Sequence, residues 1–528
     1  MASVHVLVIE AGLLDNGTDS DLLHIPLLAG QAAGTIYDWN YTTSAQVISP
    51  KFDLPQLTVL DNLVYLRGPS DDFDRFAAFS GDQGWAWQNI QKYIFKSEQH
   101  VPPWNNRCNL GEYNPAFHGD GPIQTSLTAM PSELDQHVLK AAQEHVDRFA
   151  FNLDLNSGNG LGIGWIETTV GHAARSSAST AFLDPALTRN NLDLLIGTHV
   201  QRLVPEKTGG LDFRQVEVSQ SAEAKTFTFT ATSEVILSAG SIGTPQILQL
   251  SGIGPADVLE TAHVKQLVNL PAVGANLQDQ PIFFLHWAVN SSTLTDFLND
   301  PTAIAAALDE YATNKTGIAA SSVIFNTIAF LRLPENSPLL KGSDPAAGPN
   351  SPHYQYSFCN AFLGNPGQTS PTTGDFISVS ILVQSPTSSF VHPIIDPAYY
   401  TTNFDIGTVV EAVHQLQTFF SSPVWNGYLG EPFADTAALT DDTRIEEYAR
   451  QFATTVKHPV SSCRVSSSDI DGVVGPDLFV HKIQGVRVMD ASILPFATAG
   501  FPQAQLYILA ERAAALIKEK FETCAVSN

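Results

Sequence analysis

The chain opens on an apolar run, Val4-His-Val-Leu-Val-Ile9, closed by Glu10-Ala-Gly12. A run this short, bounded by a glycine turn, predicts a buried parallel strand with an acidic residue at its carboxyl end. Gly84-Trp85-Ala-Trp87 reads as a turn leading into an amphipathic helix through Glu98, and residues 134–149 give a second helix. Strands are expected near 193–204 and 226–238, the latter ending in Ser238-Ala-Gly240. From about 286 to 450 the pattern changes: aromatic-rich stretches at 353–362 and 376–385 alternate with Pro/Gly/Ser loops and with helical patterns near 407–420 and 441–455. That mixture predicts a separate antiparallel sheet with helices on one face. A strand at Val486–Met489, an Asp490-Ala-Ser turn and a helix over 503–520 close the chain. The fold class is α/β, α+β overall, with no internal repeat and no low-complexity linker.

Composition changes this picture little. The 528 residues are 44% hydrophobic and 15% charged, enough for a large core. A formal charge of −26 opposes nucleic acid and anionic membrane as partners, since either would repel the surface. Cys108, Cys359, Cys463 and Cys524 lie far apart without metal-ligand spacing, so no metal is expected and at most one disulfide. No apolar run reaches the ~18 residues of a membrane helix. Localisation stays open: cytoplasmic if Met1 is the natural start, secreted if a signal-bearing segment precedes it. The partner expected is a small aromatic molecule, and a homodimer is compatible with the sequence.

Three features carry candidate chemistry. Glu10, at a strand end, is placed to take a ribose hydroxyl or simply to face water. The stretch from Gly240 to Gly254 reads as a strand, a glycine turn, Pro245 suited to a first helical turn, and a glycine stop. Such a turn holds a phosphate or ring edge with backbone N–H groups, or merely connects two elements. His458 precedes Pro459, which disfavours helix and leaves the imidazole on a loop where it can face a cleft as acid or base, although a lone histidine is more often structural.

Longer strings resemble the glucose–methanol–choline (GMC) oxidoreductases. Gly240-Ser-Ile-Gly-Thr-Pro through Gly254 is similar to that family's second signature. Arg175-Ser-Ser-Ala-Ser-Thr-Ala-Phe-Leu183, Leu270-Pro-Ala-Val-Gly-Ala-Asn-Leu-Gln-Asp279, Val64-Tyr-Leu-Arg-Gly68, Val488-Met-Asp-Ala-Ser492 and Thr455-Val-Lys-His-Pro-Val-Ser-Ser-Cys-Arg464 resemble further family segments. The resemblance, nearest to fungal aryl-alcohol-oxidase-like members, implies a Rossmann-like flavoprotein domain, incomplete at its N-terminus, over residues 1–285 and 455–528. A substrate domain with the antiparallel sheet would take residues 286–454. It implies His458 as the catalytic base, Phe501 and Gln503 in the substrate pocket, and, if FAD is retained, Glu10, Val200 and Asp490 as cofactor contacts.

The departures set the functional expectation. The sequence contains no GxGxxG. Where the family has a GGSS loop, the chain reads Phe52-Asp-Leu-Pro-Gln-Leu-Thr-Val-Leu-Asp-Asn62, with Asp53 and Asp61 placing negative charge near a pyrophosphate. Phe501 stands where the family has a hydrogen-bonding His or Asn, and it can do neither job. The reading favoured is a flavin-free enzyme without cofactor, using His458 in a cyclisation, dehydration or isomerisation of an aromatic or polyketide-like substrate. The alternatives are an FAD-dependent alcohol oxidase or dehydrogenase and a non-catalytic binding protein. Unpaired backbone groups in a buried sheet are costly, so Val4–Ile9 is expected to pair with the 234–238 strand or with a segment filling the gap.

Overall fold

A computed structural model describes residues 5–13, 21–32, 35–39, 41–42, 55–57, 63–322, 324–342, 344–384 and 398–526. The Val6–Ile9 strand pairs in parallel with Leu192–Leu195, from Val6 opposite Leu192 to Ile9 opposite Leu195. Val235–Leu237 pairs in parallel with Val486–Val488. An antiparallel ribbon of His199–Val204, Gln215–Ser219 and Phe227–Thr230 stands beside them. Helices Ser70–Ser80, Trp87–Ser97 and Pro502–Val526 help enclose a core that includes Trp85, Ile90, Leu237, Leu248, Val486 and Ile508.

The expected pairing of the first strand with the 234–238 strand is not seen among the described residues. Among the described residues, Val6–Ile9 and Val235–Leu237 belong to separate two-stranded sheets. Val6 is 46% exposed and Ile236 41%, so water can reach these strands and the penalty that motivated the expectation is absent.

The second expectation holds closely. Tyr354–Cys359 and Phe376–Val383 form adjacent antiparallel strands in a seven-stranded sheet, ordered Leu429–Pro432, Pro281–Val289, Phe376–Val383, Tyr354–Cys359, Phe325–Leu331, Gly162–Trp165, with Thr454–Thr455 against the start of Pro281–Val289. The sheet thus reaches beyond 286–454 and draws on Gly162–Trp165 from far upstream. Helices Glu133–Glu144, Asn403–Phe420 and Asp442–Phe452 cover one face. There Phe283, Leu285, Tyr354, Tyr356, Val379 and Ile381 pack against Val138, Val409, Leu416 and Tyr448. Because strand side chains alternate faces, the same register sends Gln355, Ser357, Ser378 and Ser380 to the other face. These residues are buried too, so that face is polar and covered.

Gly240–Leu250 is helical as expected, but Pro245 lies inside the helix rather than in its first turn. Proline has no N–H for the carbonyl four residues back, which is that of Ser241. The Ser462 hydroxyl donates to the Ser241 carbonyl at 2.6 Å instead, and the Ser241 hydroxyl donates to the Pro459 carbonyl at 2.7 Å. The helix start is thereby tied to the segment carrying His458. Cys108, Cys359 and Cys463 are free thiols. No helix among the described residues is long and apolar enough to cross a membrane.

Candidate active site

Gln278-Asp279-Gln280 grips the His458 loop with all three side chains or backbones. Gln278 and Val460 exchange backbone hydrogen bonds at 3.1 and 2.8 Å, and Gln278 Oε1 accepts from the Ala497 N–H at 2.6 Å. Asp279 Oδ1 accepts the His458 backbone N–H at 2.8 Å, while its Oδ2 accepts the Thr455 and Tyr399 hydroxyls. Burial raises the Asp279 pKa, an effect these hydrogen bonds oppose. Lys457 and Ser461 both take left-handed φ, +69° and +75°, on either side of His458. The Thr455 hydroxyl accepts the Lys457 N–H at 2.7 Å and helps hold that conformation.

The clamp fixes the imidazole. His458 Nδ1 lies 2.7 Å from Gln280 Oε1, and desolvation pushes the ring pKa down to about 3, so the ring is neutral. His458 is half-buried as a residue, and its ring meets Phe501 edge-on, centroids 5.0 Å apart and planes at 81°. Phe501 packs on a cluster of Val64, Leu66, Leu155, Ile166, Ile328 and Phe330. The structure therefore brings His458 and Phe501 together, with an apolar wall behind the phenyl ring.

Close backbone approach places Phe501. A Cβ on Gly68, at φ +79°, would come within 2.2 Å of the Ala499 carbonyl, and one on Gly500, at φ +132°, within 3.0 Å of the Gly68 N. Glycine at both positions lets the segments cross, and the Phe501 N–H donates to the Leu66 carbonyl at 3.2 Å. Below the crossing, buried Asp72 accepts the Ala499 N–H at 2.6 Å and the Ser351 hydroxyl at 3.0 Å, and desolvation raises its pKa to about 7.

Other expected residues are placed as follows. Gln503 is half-buried in the first turn of the last helix, two residues beyond Phe501. Val200 lies in its ribbon strand opposite Val218, half-buried against the core. The Asp490 carboxylate is engaged internally, accepting from the Gly240 N–H at 2.9 Å, the Thr244 hydroxyl, and the Ser492 N–H and hydroxyl. It clamps the helix start to the closing turn. Glu10 is exposed at its strand end, and its Oε1 accepts the Gly12 N–H at 2.6 Å. Asp53 and Asp61 lie outside the described residues.

Sequence reasoning missed a buried charge network next to this site. Arg67, quoted above only as part of a string, donates to Glu98, Phe117 and Asn156, with His118 Nδ1 at 3.3 Å. His118 Nε2 lies 3.1 Å from Asp154, and His100 contacts Glu167. For His118, desolvation is outweighed by Glu167, Asp154 and Glu98, and its pKa rises to about 10. For Glu167, desolvation is outweighed by His118, His100 and Arg67, and its pKa falls to about 2. Ligand atoms of His100, His118 and Glu167 lie within 4.8 Å of one another. The adjacent Arg67 cation and the hydrogen-bond-length contacts make this a proton-bridged ion network rather than a cation site. The one signal for it in the sequence was Arg67, a charged residue following the apolar Leu63-Val-Tyr-Leu66.

Two family models described as GMC oxidoreductase match the chain, one over residues 58–282 and one over 380–510. Pyranose dehydrogenase 3 of Leucoagaricus meleagris is 32% identical, the alignment covering 98% of this chain and 89% of that protein. Dehydrogenase eriK of Hericium erinaceus is also 32% identical over 98% and 90%. Among solved structures, the FAD-dependent oxidoreductase of Chaetomium thermophilum superimposes with a TM-score of 0.82 at 26% identity, covering 98% and 95%. Aspergillus oryzae formate oxidase reaches 0.87 at 23% identity, covering 99% and 95%, a likeness of fold. The chain belongs to the GMC oxidoreductase family and is a homologue of its enzymes.

These relatives overturn two expectations. A flavin-free, non-redox catalyst and a protein without cofactor are both at odds with relatives that are dehydrogenases at 28–32% identity over nearly the whole chain. Glu10 offers an exposed carboxylate at the carboxyl end of a parallel strand, the position from which a ribose is held. Gly240 opens a helix at φ +77° with no atom within 4 Å of where a Cβ would stand, so a ligand can approach its backbone. Both features fit FAD.

Proposed function

We propose that the chain is an FAD-dependent oxidoreductase of CH–OH donors, with His458 as the base that receives the hydroxyl proton. The observation that carries this reading is the neutral, clamped imidazole of His458, edge-on to Phe501. Flavin bound here would supply a two-electron oxidant, the hydride acceptor that conversion of an alcohol to a carbonyl requires. Glu10 would hold its ribose and the backbone at Gly240 would border it, with Val200 alongside. The Asp490 clamp would hold the Gly240 turn in shape rather than touch the cofactor.

The remaining steps belong to the chain's own residues. Gln280 occupies Nδ1, so the hydroxyl proton passes to Nε2 of His458, which makes no hydrogen bond among the described residues. The imidazolium so formed is costly where the ring is desolvated, and the negative charge developing on the substrate oxygen beside it offsets part of that cost. The Phe501 ring and the Val64–Phe330 cluster exclude water and favour a flat, apolar alcohol over a heavily hydroxylated one. No nucleic acid or membrane enters the scheme.

The purified full-length protein is predicted to show flavin absorption near one per chain, directly or after incubation with FAD. It should reduce an artificial electron acceptor with benzylic or allylic alcohols. A protein that takes up no flavin under either condition, or that turns over none of a broad alcohol panel when loaded, would overturn the proposal.

A further inference from the structure

We infer that Gln280, Gln384 and Gln355 form a one-way chain of amides that locks His458 with its proton on Nδ1, which makes Gln280 a positioning residue for the base. The inference rests on the assignment of His458 as that base. Hydrogen positions on glutamine and histidine follow from their partners, and one donor in this chain admits no alternative. The Gly500 backbone N–H donates to Gln384 Oε1 at 2.9 Å, which identifies that atom as the amide oxygen. Gln384 Nε2 then donates to Gln355 Oε1 at 2.6 Å, and Gln355 Nε2 to the Ser357 hydroxyl at 3.0 Å.

The other direction is equally constrained. Gln280 Nε2 lies 3.2 Å from Gln384 Oε1, 3.3 Å from the Thr498 carbonyl and 3.4 Å from the Gln384 carbonyl. All three neighbours are acceptors, so only an NH₂ group belongs there. Gln280 Oε1 is therefore the atom 2.7 Å from His458 Nδ1, and the contact is attractive only if Nδ1 carries a proton. Each of the three glutamines is at most 1% exposed. Flipping any amide would set oxygen against oxygen or N–H against N–H and strand buried groups, and the fixed backbone partners hold the chain in one orientation.

The consequence is kinetic economy at the base. Nδ1–H is present in the neutral ring and in the imidazolium, so the amide chain is satisfied before and after proton transfer. Only Nε2 changes state, and no side chain has to turn. The strand register supplies the arrangement: Gln355 and Ser357 share the polar face of the sheet, and Gln384 follows directly after Val383. Gly500 joins the same chain to the backbone that carries Phe501.

The test uses the full-length, flavin-loaded protein with ¹⁵N-histidine. A two-bond ¹H–¹⁵N correlation spectrum, with the His458 signals identified by their loss in His458→Gln, is expected to show a protonated Nδ1 and a bare Nε2 between pH 6 and 9. Gln280→Glu puts a carboxylate against Nδ1–H and is expected to move the acidic limb of the kcat/KM profile upward by about one pH unit or more. Gln280→Met removes the acceptor and is expected to lower kcat on the order of 10- to 100-fold with little change in KM. A proton on Nε2 in the unmodified protein would overturn the inference even if neither variant folds. An unmoved pH limb and unchanged kcat in both folded variants, with His458→Ala inactive, would also overturn it. Full turnover by His458→Ala would instead remove the base assignment beneath it.

Discussion

Replacing Asp72 by asparagine isolates the most consequential buried carboxyl near the site. Asp72 is 4% exposed and supports the backbone crossing that positions Phe501 through its bond to the Ala499 N–H. Its pKa rises from 3.8 to about 7, chiefly by desolvation, against the hydrogen bonds from Ala499 and Ser351. A folded-state value above the unfolded one means the native protein holds a proton that the unfolded chain releases. The associated stability is fully present below about pH 4 and is lost as pH rises through about 7. The difference between the two values corresponds to about 4 kcal/mol. Asparagine keeps an oxygen for the Ala499 N–H and cannot ionise. Thermal unfolding followed by intrinsic fluorescence at pH 5 and pH 8 should show the unmodified protein losing several degrees more than Asp72→Asn across that interval. Other buried carboxyls with raised pKa values, Asp135 and Asp490 among them, titrate in both proteins, so the difference between the two curves reports Asp72. Parallel curves would refute the reasoning.

Two further substitutions probe the loops around His458. Ser462→Ala leaves the Ser241 carbonyl without its hydroxyl donor and should cost about 1–3 kcal/mol in urea unfolding, whereas in a Pro245→Ala background, which restores a backbone N–H, the cost should shrink; equal costs in both backgrounds would sink this account of the interrupted helix. Phe501→Asn removes the edge-on ring and should raise KM for benzylic alcohols by roughly 3- to 10-fold relative to small aliphatic ones, since an aromatic pair is worth about 0.5–1.5 kcal/mol; an unchanged ratio would remove Phe501 from substrate recognition.

Much of the fold was legible because its patterns were long and regular. The strands at 353–362 and 376–385 and the helices near 407–420 and 441–455 lie within a few residues of their expected positions, as burial of one face fixes the period. The proximity of His458 and Phe501 was legible only through the family strings, since nothing local joins residues 43 positions apart. Reading Pro245 as a first-turn residue failed because Ser462, 217 positions away, supplies the donor that lets the helix begin earlier. Pairing of Val6–Ile9 was misjudged by assuming burial that Val6 and Leu7 do not have. The polar face of the sheet was invisible for the opposite reason. Polar residues alternating along a strand ordinarily face water, yet Gln355, Ser357 and Ser380 are buried. The flavin-free expectation treated three departures, no GxGxxG in the sequence, the changed GGSS stretch and Phe501, as decisive, while the exposed Glu10 and the open Gly240 turn are in place.

The central claim is that His458 removes a proton as an alcohol is oxidised by the bound flavin. Its most direct test is anaerobic rapid mixing of the flavin-loaded protein with a benzylic alcohol, monitoring the flavin band in the unmodified protein and in His458→Ala. The account predicts that both proteins retain flavin near one per chain while the variant bleaches on the order of 10²- to 10⁴-fold more slowly, the contribution expected of a positioned general base. Bleaching at the same rate in the two proteins, with flavin content unchanged, would contradict it.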